Sequence, residues 1–267
     1  MDTEVLDYNQ MAELMESILV TGAVGGIGNA VVQQLAKRFE IRAIDIRRMP
    51  SGASPDETVH WTCGDVRKIH AIENSLDGIV PKTLRAVVAC AAWGPGHSNV
   101  MDILETNVDG CVKTIQAARP FLAPGASVVL FGSSAGQRFN PRFVHRRWLK
   151  QLESGAPTDT PFSEDLPPEQ AYALSKWVLM QWARHTPLWA KTLDVHINCV
   201  TPCPTNGLMA EEMRQHAPWL LPKDEDGLEL PLADPCLAAN KVVSILTTKF
   251  PVKTTLFAAT ARNISFG

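Results

Sequence analysis

The sequence predicts an α/β fold, a single domain built around a doubly wound parallel sheet, and two observations carry that prediction. Short apolar runs able to form buried strands recur as SILVT, EIRAID, TVHWTC, RAVVACAA, SVVLFGSS and LDVHINCV. Between several of them lie stretches with apolar residues every three or four positions, as in NAVVQQLAKRF and YALSKWVLMQWARH. Strands that alternate with helices join in parallel, and helices then cover both faces of the sheet. A chain of 267 residues can bury such a core without disulfides or metals.

In chain order, SILVT leads through TGAVGGIG into a helix expected to begin near Asn29, and EIRAID supplies the next strand. Two later segments break this rhythm. Residues 137–169 separate SVVLFGSS from the helix of YALSK, and their prolines and mixed charges read as an insertion. Phe139, Phe143, Trp148 and Leu149 offer it packing groups, while Arg138, Arg142, Arg146 and Arg147 keep an outer face wet. Residues 202–235 are rich in proline and carry Met209, Met213, Trp219, Leu220 and Leu221, a loop or lid of the length that is commonly functional.

A formal net charge of −3, with both signs interspersed, gives no reason to expect nucleic acid or an anionic membrane as partner. The six cysteines form no CxxC pair, so we expect reduced, mostly buried thiols and no metal site. The acidic start MDTEVLDYNQMAELMES shows neither a signal peptide nor a membrane span, which makes the cytoplasm the expected compartment. The expected partners are a small-molecule substrate and further copies of the chain in a homo-oligomer, with a dimer the favoured form.

TGAVGGIG follows a strand and opens a helix. In that setting Gly22 makes the tight turn, Gly26 lets backbone approach a pyrophosphate, and Gly28 permits close helix packing, a Rossmann-type nucleotide site. Asp45 ends the second strand, where a carboxylate accepts hydrogen bonds from the adenosine ribose and repels a 2′-phosphate. That favours NAD(H) over NADP(H), although Arg47 and Arg48 stand close enough in sequence to receive the extra phosphate. The whole chain, residues 1–267, is therefore expected to form one NAD(P)-binding domain.

Tyr172 and Lys176 in YALSK lie four residues apart on a predicted helix, so one face presents both. A free phenol titrates near pH ~10, and a nearby cation would favour its ionised form, which makes Tyr172 a candidate acid/base. These motifs, with TGxxxGxG at Thr21, Gly22, Gly26 and Gly28, resemble the short-chain dehydrogenase/reductase family from about Ile18 to about Phe257. The resemblance implies hydride transfer between NAD(H) and a carbonyl or secondary alcohol, on a Rossmann-type sheet with an insertion before the catalytic-tyrosine helix.

The resemblance also implies roles. Ile27 joins the glycine loop, Asp65 contacts adenine, and Val66 packs beside it, with Ala91 near the passing cofactor. Ser133 in GSSAG orients the substrate oxygen, Tyr172 moves its proton, Lys176 also binds the nicotinamide ribose, and Asn107 holds a water chain from the lysine to solvent. The family's PGxxxT reads Pro202, Cys203, Pro204, Thr205, Asn206, Gly207 here, so Thr205 is expected to replace the lost hydroxyl. NNAG has become Ala89, Cys90, Ala91, Ala92, and TTLFAATARNISFG replaces the C-terminal glycine pair.

CAAWGPGH, LADP and the thirty-eight residues between Ser133 and Tyr172 most resemble bacterial 3-alpha-hydroxysteroid dehydrogenase/carbonyl reductases. A bulky apolar ketone or alcohol, steroid-, terpenoid- or cyclic-ketone-like, is then expected, held by Trp93, Ser133, Met209, Met213 and Trp219. The same resemblance places residues 137–169 over the substrate side. Two other readings stay open. PFSEDLPPEQAYALSK resembles the extended branch of sugar-nucleotide epimerases and dehydratases, though only ninety-one residues follow Lys176. The altered NNAG and PGxxxT segments also fit a non-catalytic NAD(H)-binding sensor.

Overall fold

The computed structural model describes residues 16–49, 57–140 and 166–247 and the backbone of 256–259. Seven parallel strands form one sheet: β1 (Ser17–Thr21), β2 (Glu40–Asp45), β3 (Val59–Cys63), β4 (Leu84–Ala89), β5 (Leu122–Phe131), β6 (His196–Pro202) and β7 (Leu256–Ala259). Their order is β3-β2-β1-β4-β5-β6-β7. The chain winds outward from β1 to β3, then crosses to β4 on the other side. A crevice opens where the order reverses, at the carboxyl ends of β1 and β4, and in such sheets ligands bind there.

Alternation along the strands explains the two cores. In β1, Leu19 faces one layer and Ile18 and Val20 the other; in β5, Val128 and Leu130 oppose Val129 and Phe131. The first layer packs under α2 (Ile69–Ser75), α4 (Cys111–Ala118) and α6 (Pro168–Arg184), through residues such as Ile72, Ile115 and Val178. The second packs under α1 (Gly26–Leu35) and α9 (Pro235–Thr247), through Val31, Leu35 and Val242. Each fully buried Ile or Leu contributes about 1.5–3 kcal/mol.

Several expectations are corrected. Helix α1 starts at Gly26, not near Asn29, so the second half of the glycine motif, Gly26 to Gly28, is its first helical turn. Helix α6 begins at Pro168, where a missing N–H costs nothing in the first turn, and runs through Tyr172 and Lys176. The segment TTLFAATARN, noted in sequence only for lacking glycines, contains β7, which pairs with β6. Between α3 (Val100–Leu104) and α4 the helix widens into a π-turn at Glu105–Gly110.

After β5 the chain enters the short helix α5 (Ser134–Arg138), which lies against α6. Phe139 then packs on Trp177 of α6, with ring centroids 6.0 Å apart. Residues 141–165, and with them most of the expected insertion, lie outside the described residues. Among the described residues no helix is long and apolar enough to cross a membrane, and no group of three His, Cys, Asp or Glu could hold a metal. The thiols are not mostly buried: Cys111 and Cys199 are buried, Cys90 and Cys203 half-buried, Cys63 and Cys236 exposed.

Candidate active site

A cavity of about 460 Å³ runs along the crevice, from Gly22, Gly26, Ile27 and Gly28 at one end to Met209, Met213 and Leu221 at the other. The β1–α1 turn forms its first wall. Gly22 has φ +64°, and a Cβ there would sit 2.6 Å from the Ala91 nitrogen. A Cβ on Gly28 would lie 2.1 Å from the Gly22 carbonyl oxygen, so the turn closes only on glycine. No side chain caps the start of α1, which leaves its first N–H groups for an anion. The buried Thr106 hydroxyl, also on this cavity, has no hydrogen-bond partner among the described residues.

Asp45 ends β2 with only 4% of its surface exposed. One carboxylate oxygen accepts from the Val24 N–H at 2.9 Å and the other from the Arg47 N–H at 2.9 Å. The Arg47 guanidinium bonds the same carboxylate at 3.1 Å. Asp45 thus holds the glycine turn and Arg47 together, a tie that sequence reasoning did not foresee. Asp65 faces the cavity after β3 and accepts from Arg67, whose Nη2 lies 2.8 Å away. Burial works against the Asp65 charge, but Arg67's hydrogen bonds and charge outweigh it and hold the carboxyl below its usual range. Val66 is buried beside it.

The catalytic candidates meet midway. Ser133 caps α5, its Oγ accepting from the Ala135 N–H at 3.2 Å, and it lines the cavity together with Tyr172. Tyr172 and Lys176 are 5% and 4% exposed. Burial pushes the Tyr172 phenol above its ordinary value of 10, and the polar Ser133 side chain pulls it partly back. Burial also pushes the Lys176 ammonium down, against the opposing pull of Cys199, Cys111 and Cys90. Cys199 and Cys111 are themselves pushed up to about 12 by burial. Lys176 Nζ stands 5.6 Å from the Tyr172 ring centroid, and burial opposes the charged form of both groups.

Asn107 sits in the π-turn, 1% exposed, and its side chain is fully used. Oδ1 accepts from the Trp93 N–H at 2.8 Å, while Nδ2 donates to the Trp93 carbonyl at 3.1 Å and to Ser175 Oγ at 3.0 Å. This side chain ties the loop after β4 to α6. π-turns of this kind concentrate at functional sites.

The chain matches the 3-beta hydroxysteroid dehydrogenase/isomerase family over residues 19–146. No curated protein matches it in sequence. Among solved structures it is similar to a 3-alpha-hydroxysteroid dehydrogenase from a Pseudomonas species complexed with NADH, at 20% identity and TM-score 0.66, covering 91% of this chain and 94% of that one. Carveol dehydrogenase from Mycobacterium avium in complex with NAD matches at 19% identity and TM-score 0.64, over 91% and 95%. A short chain dehydrogenase from Burkholderia cenocepacia in complex with NADP matches at 15% and 0.64, over 92% and 88%. The fold is that of a short-chain dehydrogenase/reductase. The resemblance drawn from the glycine, serine and YxxxK motifs, including its hydroxysteroid dehydrogenase-like aspect, stands.

The segment after β6 shapes the other end of the cavity. Pro202 and Thr205 line the cavity, but the Thr205 hydroxyl donates to the Cys203 carbonyl at 2.7 Å. Asn206 N–H bonds the Ala233 carbonyl at 2.9 Å, and Ala233 N–H bonds that of Pro204 at 2.9 Å. These bonds close the base of a lid that carries α8 (Leu208–His216). From α8, Met209 brings its sulfur 3.9 Å from the Tyr172 hydroxyl. Its side chain also fills the space beside Gly94, with Cγ 2.8 Å from where a Cβ there would lie.

Trp93 and Met213 line the same end, but Trp219 does not and is corrected as a substrate contact. It lies on the 3-10 turn Pro218–Leu220 and is 62% exposed, because Ala217 and Leu221 on either side turn inward and hold it out. Thr106 and Glu212 face the cavity and were missed from sequence. Glu212 had a usable signal, since Met209, Glu212 and Met213 fall at i, i+3 and i+4 on one helical face. Thr106 had none beyond its place before Asn107.

Proposed function

We propose that this chain is an NAD(H)-dependent oxidoreductase acting on a bulky, largely apolar ketone or secondary alcohol. The carrying observation is that Ser133 and Tyr172 line one cavity that joins a glycine cradle to a wall of Trp93, Met209 and Met213. The residues present fit a dinucleotide: the uncapped start of α1 for pyrophosphate, Asp45 for ribose, Asp65, Val66 and the orphaned Thr106 hydroxyl along its path, and Ala91, Pro202 and Thr205 toward the nicotinamide, with Lys176 buried behind Tyr172 on the same helix. When bound, the nicotinamide supplies or accepts the hydride.

The chain's own residues handle the proton. Burial keeps Tyr172 protonated at neutral pH, so its hydroxyl is set to give a proton to a carbonyl oxygen as that carbon is reduced. Ser133 Oγ holds the same oxygen beside the phenol. Oxidation of an alcohol runs the transfer backwards, with Tyr172 receiving the proton. Met209 and the lid base keep water from the phenol. The buried Asp45 supports NAD(H) over NADP(H), because its carboxylate occupies the ribose end and engages Arg47.

Nicotinamide absorbance during incubation with fused-ring, terpenoid and cyclic ketones tests this reading. We expect oxidation of NADH on at least one bulky ketone. Turnover confined to sugar nucleotides, or NADH binding without turnover, would overturn it.

A further inference from the structure

Trp93 forms part of the substrate wall, and its position is more tightly specified than a wall residue requires. Both its backbone polar groups are taken by the buried Asn107 amide. That fixes the main chain and leaves the indole's own rotation to be settled elsewhere. The indole stacks on the His97 imidazole, with ring centroids 4.3 Å apart and planes within 11°. The two residues sit at the ends of the turn Trp93–Gly94–Pro95–Gly96–His97, which the His97 N–H closes onto the Gly94 carbonyl at 3.2 Å.

His97 is in turn held from behind. Its Nε2 lies 3.1 Å from Asp102 Oδ2 on α3, and the other Asp102 oxygen bonds Arg67. Arg67 also engages Asp65 at the cofactor side of the cavity. A continuous chain of charged hydrogen bonds therefore runs from the cofactor rim to the back of the imidazole, and the front of the imidazole carries the indole. The Asp102 carboxyl is held below its usual range, first by the bond from His97. A ring with one polar edge anchored and one flat face free is suited to locking an aromatic neighbour in one rotamer.

We infer that His97 is a positioning residue that sets the substrate wall by fixing the Trp93 indole, and so contributes to selectivity for bulky flat substrates without touching them. The inference rests on the substrate reading above. A preset indole offers a fused-ring ligand a surface already in place, whereas a freely rotating one must be immobilised on binding. A small ring that does not reach the wall gains nothing from this. Stacks of this kind correspond to about a three- to tenfold effect on binding.

The test is a double-mutant cycle of Trp93→Ala and His97→Ala, read as the Kd of a fused-ring ketone and of cyclohexanone. Calorimetry is done on protein loaded with oxidised NAD, a complex that cannot react, so the readout does not depend on turnover. His97→Ala should weaken fused-ring binding about tenfold and leave cyclohexanone within about twofold. Added to Trp93→Ala, it should change nothing further. His97→Phe, which keeps the stack and loses the Asp102 bond, should recover part of the loss.

Equal weakening for both ketones, full additivity in the cycle, or no recovery by His97→Phe would overturn the inference. So would a wild type that binds no fused-ring ketone. Tight binding with the expected cycle but no oxidation of NADH would instead leave His97 as assigned and defeat the proposed oxidoreductase activity.

Discussion

The two halves of the cavity are built by different means. The half proposed to hold the cofactor is made of backbone and glycine: a turn that closes only because Gly22 and Gly28 lack side chains, a helix start without a cap, and Asp45 fastening the next strand to that turn. The substrate half is made of side chains delivered from distant segments, with Trp93 from the loop after β4 and Met209 and Met213 from the lid. Local steric rules therefore govern the first half, and packing between remote segments governs the second. Substitutions should divide along the same line.

The largest expected effect falls in the cofactor half. Gly28→Ala places a methyl 2.1 Å from the Gly22 carbonyl, so the turn must open. We expect a stability loss of about 3 kcal/mol and at least about a hundredfold weaker NADH binding. Urea denaturation and NADH fluorescence titration check both. Retention of wild-type affinity would mean that the cofactor half yields to side chains after all.

Next is Asp45→Ser, which removes the carboxylate shared by Val24 and Arg47. Arg47 is then released toward a 2′-phosphate, and the ratio of kcat/KM for NADH over NADPH should fall at least about tenfold, worth ~1.4 kcal/mol of discrimination. An unchanged ratio would show that Asp45 serves the turn alone.

A smaller effect concerns acid. Asp65 has a folded pKa below its ordinary 3.8, because Arg67 outweighs the cost of burial. A depressed carboxylate adds stability above its unfolded pKa, and this is lost as pH falls from about 3.8 through the lower folded value. Arg67→Met should remove about 0.5–1 kcal/mol at pH ~7, discounted for solvent screening, and flatten the pH dependence of urea midpoints below pH ~4. Equal slopes for both proteins would contradict it. The smallest effect is at Trp219, exposed outside the cavity. Trp219→Ser should leave stability within about 0.5 kcal/mol and KM unchanged.

What was legible in the sequence follows the same division. β1 and β2 have the bounds of SILVT and EIRAID because a buried parallel strand is an unbroken apolar run with a sharp stop at glycine or aspartate. The glycine turn, Asp45, Ser133, Tyr172 and Lys176 could be placed because each belongs to a short local pattern. Trp219 could not, since an aromatic on a lid segment looks the same in sequence whether the turn beneath it points in or out. Asn107 was legible as a residue but not in its bonds, which depend on a π-turn bringing it to Trp93, fourteen positions away in sequence. Burial of Tyr172 and Lys176, which opposes the charged form of both, is likewise invisible in their four-residue spacing.

The central claim is that Tyr172 moves the proton in a hydride-transfer site whose cofactor half stands independently of it. The most direct measurement pairs single-turnover oxidation of NADH on a responsive ketone with NADH affinity, in wild type and Tyr172→Phe. The account predicts a rate lower by about 10²–10⁴-fold with NADH Kd within about twofold. A phenylalanine variant that kept the wild-type rate, or lost rate only in proportion to NADH binding, would contradict it.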